Sequence, residues 1–200
     1  MTALSDIILL LISFLLWTPA FIGLGTLITT EPVAEPIVKG ITAIRDLSIV
    51  TVEGRGMQGV PGVAARVFSA VAGCHASVLM ITQSSSEQSI CFLIRQQETD
   101  AVVSYVEEEL ALEMMRGDID GVSHMDGVSI VAVVGAGMRG HPGIAARVFG
   151  ALGDEGVNVI AIAQGSSECN MSLVLSNGDV DRAVRAVHRQ FGLHRIEVHP

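Results

Sequence analysis

Two glycine-rich loops carry the strongest chemical signal in the sequence. They read GRGMQG (54–59) and GAGMRG (135–140), and both fit the G-x-G-x-x-G pattern that binds dinucleotides between a strand and a helix. Three features argue against that chemistry. A proline two residues after each loop delays the helix start, the next strand ends in Gln83 or Gln164 instead of an acidic residue, and that strand turns directly into a hairpin. Because a hairpin leaves no right-handed crossover, we exclude nucleotide binding.

The same loops can serve a smaller anion. A glycine-rich loop that opens a helix delivers backbone N–H groups where the helix carries partial positive charge, and a carboxylate suits such a position. A polar residue stands at the end of the following strand in both copies, Gln83 in one and Gln164 in the other. The structural alternative, in which the glycines only permit a tight connection, stays open at this stage.

The loops belong to an internal duplication. Residues 48–94 align without a gap with residues 129–175, agreeing at about 22 of 47 positions with a constant offset of 81 residues. A solenoid requires shorter and more numerous units, so two copies of about 80 residues predict two small paired domains.

Each copy predicts the order strand, helix, strand, strand, helix. The first copy has strands at Ile49–Val52, Val78–Ile81 and Ser89–Ile94 and helices from Pro61 and over Asp100–Met114; the second has strands at Ile130–Val134, Val159–Ile162 and Asn170–Leu175 and helices from Pro142 and over Val180–Phe191. One closing strand per copy would complete βαββαβ. The predicted fold class is therefore α+β, with two tandem ferredoxin-like units, each an antiparallel sheet with its helices on one face.

The closing strands predict that the two units are interleaved. The first copy has a candidate at Asp118–His124, whereas the second offers only the short, polar Arg195–Val198. An unassigned β-like run, Ile37–Ile44, precedes the first copy. We predict that this run completes the second sheet. The predicted divisions are an N-terminal segment and linker at 1–36, a first domain at 37–124 and a second domain at 125–200. Residues 37–44 would complete the sheet of the second domain.

The N-terminal segment Ile7–Leu24 is apolar and uncharged. As a helix, its 18 residues would span about 27 Å, just short of a bilayer core, and Pro19 weakens the last turn. Three interpretations stay open: a membrane anchor, a segment foreign to the fold, or a helix buried against a partner.

Composition narrows the classes of partner. Twelve basic against 21 acidic residues give a net charge of −9, which argues against nucleic acid and anionic lipid. The three cysteines lack C-x-x-C spacing and the histidines lack metal-ligand spacing, so neither a disulfide framework, a metal site nor a cofactor is predicted. We expect a cytoplasmic protein, with membrane association only if residues 7–24 form an anchor.

These motifs together resemble a known family. The stretches VKGITAI (38–44), ITQSSSEQSICF (81–92) and AIAQGSSECN (161–170), with the two loops and their A-A-R-V-F helices, are similar to the paired ACT domains of aspartate kinase. The Q-x-S-S-E element occurs twice, and its second form looks most like the bifunctional aspartate kinase–homoserine dehydrogenases. The resemblance extends over about residues 25–191.

The resemblance implies feedback regulation of aspartate-family amino acid synthesis, with threonine or lysine as the effector. By position, the loop backbones would hold the effector's carboxylate, Gln83 and Gln164 its polar groups, and Asn158 a charged group across an interface. The implied effector-binding residues are Met57, Gly59, Val60, Pro61, Gly62 and Gln83 in the first copy, and Met138, Gly140, His141, Pro142, Gly143, Asn158 and Gln164 in the second. Ser77 replaces the expected asparagine in the first copy, which puts one site in doubt.

The family's catalytic lobe has no counterpart here. Its lysine-containing loop is missing, Lys39 is the only lysine, and no phosphate-binding G-K-[ST] motif occurs, so we expect no catalytic residues and no activity from this chain alone. The resemblance implies a homo-oligomer through ACT–ACT pairing, with a continuous eight-stranded sheet, and an aspartate kinase catalytic lobe as partner. Alternatives are a membrane-tethered ACT-domain amino acid sensor and a ligand-free dimerisation module.

Overall fold

The computed structural model describes residues 37–83 and 88–193 of the chain. The N-terminal segment 7–24 and the short run 195–198 lie outside these residues, so the interpretations attached to them stay predictions. Within the described ranges, no helix is long and apolar enough to cross a bilayer.

Over the described residues, six strands and five helices follow one another in the order that the duplication predicts. The strands are β1 (Gly40–Glu53), β2 (Met80–Gln83), β3 (Ser89–Arg95), β4 (Gly121–Val134), β5 (Ala161–Gln164) and β6 (Asn170–Ser176). The helices are α1 (Val63–Gly73), α2 (Thr99–Glu109), α3 (Ala111–Arg116), α4 (Ile144–Asp154) and α5 (Val180–Gln190). A short 3-10 turn lies within each glycine loop, at Arg55–Met57 and Ala136–Met138.

All six strands form one antiparallel sheet in the order β2-β3-β1-β4-β6-β5. The long strands β1 and β4 each serve both copies. Gly40 to Ile44 pair with Val134 to Ile130 of the second copy, and Ile49 to Glu53 pair with Met125 to Gly121. The predicted interleaving is confirmed by this register. The expected eight-stranded sheet is wrong within the chain, because two shared strands each replace two shorter ones.

Each long strand changes direction near its middle. Register shifts interrupt the β1–β4 ladder between Ile44 and Leu47 and between Leu47 and Ile49. Asp46 and Gly127, which are equivalent by the 81-residue offset, both have left-handed backbone angles, with φ of 57° and 70°. Such residues kink an extended chain, so the sheet bends here between its two halves.

Within the part of the chain that the structure describes, apolar side chains form three cores that follow this division. Phe92 on β3 and Val67 on α1 belong to the core under the helices of the first copy. Leu173 on β6 and Val148 on α4 belong to the equivalent core of the second copy. The third core contains only strand residues and residues directly before strands, so the helix-free faces of the two half-sheets pack together. This third cluster includes Leu47, Ile49, Met80, Leu93, Val128, Ile130 and Val174.

Several predicted boundaries are wrong, each for a local reason. Helix α1 begins at Val63 instead of Pro61, because Gly62 has a φ of 91° and cannot be helical. The second strand of each copy begins two residues later than predicted, at Met80 and Ala161. The helix predicted over 100–114 is two helices, since the backbone leaves helical angles at Leu110.

Candidate functional site

The first two glycines of the loops serve backbone packing. A Cβ on Gly54 would lie 2.4 Å from the carbonyl oxygen of Asp118, and one on Gly56 would lie 2.6 Å from the Cα of Asp118. The Gly56 N–H donates to the Asp118 carbonyl at 3.0 Å. In the second copy, a Cβ on Gly135 would lie 2.1 Å from the Ile37 carbonyl oxygen. Gly54, Gly56 and Gly135 are therefore explained by the close approach of neighbouring backbone, without a role in ligand binding.

The later glycines open the helices instead. Gly62 is the N-cap of α1 and has no side chain with which to cap it, and the first intrahelical bond runs from the Arg66 N–H to the Gly62 carbonyl at 3.1 Å. The N–H groups of Val63 and Ala64 therefore lack intrahelical acceptors. They stand at the positive end of the helix dipole, where a carboxylate is stabilised.

Gln83 reaches this helix start from the sheet. It is the last residue of β2 and pairs with Ile90, which belongs to the core under α1, so Gln83 lies on the helix-bearing face. Together the loop, the helix start and the glutamine line a solvent-open cavity of about 360 Å³. The lining residues are Met57, Gly59, Val60, Pro61, Gly62, Val63, Ala64, Gln83 and Ile90. All six residues predicted for the first site are thus brought together, and their role in binding stays a prediction.

Met57 is a buried residue of the cavity lining. Its residue is only 4% exposed and packs in the core under α1, whereas Val60 is 52% exposed at the cavity rim. The cavity therefore combines an apolar wall with backbone N–H donors and one amide side chain. This composition, and a volume within the roughly 300–1,000 Å³ typical of small-molecule pockets, suit a small zwitterion.

The second loop repeats the first. Gly140 and Gly143 have φ angles of 69° and 87°, close to the 71° and 91° of their first-copy counterparts. Gln164 ends β5 and pairs with Met171, a residue of the core under α4. Among the other loop residues predicted for the second site, Met138 is buried, whereas His141 and Pro142 are exposed.

Glu168 is a polar contact of the second loop that sequence reasoning missed. The Gly140 N–H donates to Glu168 Oε2 at 2.7 Å. Glu168 lies in the turn between β5 and β6, and its φ of 57° is unusual for a residue with a side chain. The sequence did hold a signal, the repeated Q-x-S-S-E element, which fixes a glutamate four residues after each strand-ending glutamine.

The structure does not bring Asn158 to the loop of its own copy. This exposed residue follows the C-terminal end of α4, whereas the loop precedes the N-terminal end of that 11-residue helix. The helix is about 16 Å long at 1.5 Å per residue. A role for Asn158 therefore requires the site of the other ACT repeat or of another chain, and the same holds for the equivalent Ser77. Within the chain, β5 follows Asn158 and contacts β2, where Thr82 donates to the Ile162 carbonyl at 3.2 Å.

A cluster of charged side chains connects α1 to α2 and α3. Arg66 donates to Glu109 Oε1 at 2.9 Å, to the Glu109 carbonyl and to Glu113 on α3. The hydrogen bond from Arg66 lowers the pKa of the Glu113 carboxyl below its usual range, and Glu113 in turn raises the pKa of Arg66. In the second copy, Arg147 instead donates to the Gln190 carbonyl and stacks 4.2 Å from the centre of the Phe191 ring.

Comparison with known proteins agrees with this architecture. The ACT domain family matches residues 50–110 and 131–191. The chain is 41% identical over 182 residues to a chloroplastic bifunctional aspartokinase/homoserine dehydrogenase of Daucus carota, covering 87% of this chain and 20% of that protein. An aspartate kinase of Pseudomonas fluorescens is 33% identical over 180 residues, covering 86% of this chain and 41% of the relative.

A solved structure repeats the fold. The regulatory subunit of aspartate kinase from Thermus thermophilus, in a ligand-free form, superposes with a TM-score of 0.65 at 27% identity, covering 78% of this chain and 99% of that one. The chain spans about a fifth of the length of the bifunctional relative. It is homologous to the regulatory ACT region of aspartate kinases. The chain belongs to the ACT domain family and carries two ACT domains.

Proposed function

We propose that this chain binds a free amino acid, threonine or lysine, as a feedback signal of aspartate-family amino acid synthesis and thereby regulates an aspartate kinase catalytic lobe. The observation that carries the proposal is the cavity in which the first glycine loop, the uncapped start of α1 and Gln83 converge. Homology to the regulatory region of aspartate kinases supports the same function.

The cavity offers complementary groups for both ends of a zwitterion. The N–H groups of Val63 and Ala64 suit the α-carboxylate, because they are donors at the positive end of a helix. The Gln83 amide has an acceptor oxygen and a donor nitrogen, so it can bind an ammonium or a hydroxyl. Val60 and Ile90 provide apolar contact for the methylene or methyl carbons of the effector.

Regulation follows if the effector prefers one arrangement of the domains. A ligand shifts a conformational equilibrium only by its difference in affinity for the two states, and a difference of about 1–3 kcal/mol gives roughly a 5- to 150-fold effect. The loop is well placed for this coupling, because its first glycines pack on the backbone that leads into β4, a strand shared by both domains.

Pairing between copies of the chain is part of the proposal. The edge strands β2 and β5 carry isoleucines at equivalent positions, Ile81 and Ile162, and these are 49% and 43% exposed. Because β2 and β5 contact each other within the chain through the hydrogen bond from Thr82 to the Ile162 carbonyl, association between chains would use these exposed side chains.

Isothermal titration calorimetry on the full chain with threonine and with lysine tests the proposal. We expect saturable heat for at least one of them, and Gln83→Ala should weaken binding about 5- to 50-fold, because it removes the side-chain amide from the cavity. Gln164→Ala should affect only the second site. The matched control is Gln97→Ala, an exposed glutamine outside the cavity lining. No heat with either amino acid at millimolar concentration would contradict the proposal.

A further inference from the structure

The second ACT domain repeats most of the cavity lining of the first, with one polar exception. Of the nine residues that line the first cavity, six are identical at the equivalent positions of the second domain, 81 residues later. Two of the three differences exchange one apolar side chain for another. The third difference is chemical, because His141 stands where the first domain has Val60.

The backbone gives His141 the same position in its loop that Val60 has in the first. The Val60 N–H donates to the Met57 carbonyl at 3.2 Å, and the His141 N–H donates to the Met138 carbonyl at 3.1 Å. The glycines before and after the two residues have matching φ angles as well, 71° and 69° on one side and 91° and 87° on the other. Both residues are exposed. The imidazole of His141 therefore leaves the second loop at the rim, as the Val60 side chain does in the first.

An imidazole changes what the rim can recognise. In the proposed function, Val60 contacts the carbon atoms of the effector side chain. A histidine ring nitrogen can also donate a hydrogen bond to a hydroxyl or accept one from it. A hydroxyl placed against an apolar rim loses hydrogen bonds to water and gains none from that rim. The strand-ending glutamine is identical in both domains, so it does not produce a difference between them.

We propose that His141 makes the second ACT domain more selective than the first for an amino acid with a short, hydroxyl-bearing side chain. The replacement of Val63 by Ile144 acts in the same direction. Ile144 is larger and only 6% exposed, so it leaves less room beside the helix start for a long aliphatic side chain. This inference rests on the proposed function and assigns threonine, instead of lysine, to the second site.

Threonine and valine test this selectivity, because they have nearly the same shape and differ by a hydroxyl in place of a methyl group. Calorimetry on the full chain carrying Gln83→Ala reports on the second site, and Gln164→Ala reports on the first. We expect the second site to prefer threonine over valine by a factor about 2- to 10-fold larger than the first site does, the effect of one hydrogen bond. His141→Val should remove this difference, and Val60→His should confer it on the first site.

The matched control is His124→Val, which makes the same replacement at an exposed histidine of β4, outside both loops. It should leave the ratio of threonine to valine affinity unchanged at both sites. Threonine binding whose ratio to valine binding changes in neither His141→Val nor Val60→His would overturn the inference and leave the proposed function standing. If neither threonine nor lysine binds the unsubstituted chain, the proposed function fails and the inference fails with it.

A second measurement observes the contact itself. In the ¹⁵N-labelled full chain carrying Gln83→Ala, the ring nitrogen resonances of His141 are identified by their loss in His141→Val. Titration with threonine should shift them more than titration with valine at constant pH, because only threonine has a hydroxyl that can bond to the ring. Equal shifts with both amino acids at saturation would overturn the inference, whatever the calorimetry shows.

Discussion

Replacement of Gly135 by alanine tests the interleaving of the two domains. An added Cβ would lie 2.1 Å from the Ile37 carbonyl oxygen and 2.8 Å from the Val38 Cα, both backbone atoms that lead into β1. Neither atom can rotate away, so the segment at 37–39 must move. That movement would strain the hydrogen bond from the Lys39 N–H to the Val134 carbonyl, which is 2.8 Å long.

The expected loss of folding stability follows from how severe this steric overlap is. Overpacking in a well-packed region costs about 1–3 kcal/mol, and a clash with backbone on a shared strand belongs at the upper end. For a chain of this size, a loss of about 3 kcal/mol lowers the melting temperature by roughly 6–12 °C. Urea unfolding followed by circular dichroism, together with calorimetric melting, measures both quantities.

The matched control lies in the same domain. Gly150 is in the middle of α4, and a Cβ added to it would meet open space among the described residues, with no neighbouring atom within 4 Å. Gly150→Ala should therefore stabilise the chain by about 0.5–1 kcal/mol through helix propensity. A loss below about 0.5 kcal/mol for Gly135→Ala would refute the packing of residues 37–38 against the second loop.

Two further predictions concern contacts that connect elements. Glu113→Gln should reduce stability at neutral pH and flatten its dependence on acid pH, because the hydrogen bond from Arg66 lowers the pKa of Glu113. The stabilising contribution is present above the unfolded-state pKa of about 4.3 and is lost as the pH falls through the lowered folded-state value. The difference in melting temperature between parent and variant should therefore shrink as the solution is acidified, and a difference that stays constant with pH would contradict us. Thr82→Val removes the 3.2 Å bond to the Ile162 carbonyl between β2 and β5, and should cost about 0.5–1.5 kcal/mol in urea unfolding; no loss would show that the bond contributes nothing.

The duplication made much of the fold predictable. Because the second copy offered only a weak closing strand, the run before the first copy had to supply it, and Gly40 to Ile44 pair as expected. The continuity of the long strands was not predictable in the same way. Polar residues around Asp46 and Gly127 are typical of a turn, yet the chain continues through each as a bend, because pairing with the other long strand holds both sides.

The residues of the first cavity were predictable because the same glycine loop and strand-ending glutamine occur in both repeats. Gln83 and the first glycine loop meet because a strand end and a helix start are adjacent in this topology, which follows from the element order. Glu168 was not recognised, since its contact with Gly140 depends on how the turn between β5 and β6 closes. The break between α2 and α3 at Leu110 was not predicted either, because a buried leucine fits the apolar periodicity of one continuous helix.

The most direct test of the central claim is an NMR titration of the uniformly ¹⁵N-labelled full chain with threonine and with lysine. If the first cavity binds a free amino acid, the amides of Val63 and Ala64 and the side-chain amide of Gln83 should shift together along one saturable curve. Saturable binding that leaves these three groups unmoved, or shifts only residues remote from them, would contradict the assignment of this cavity as an effector site.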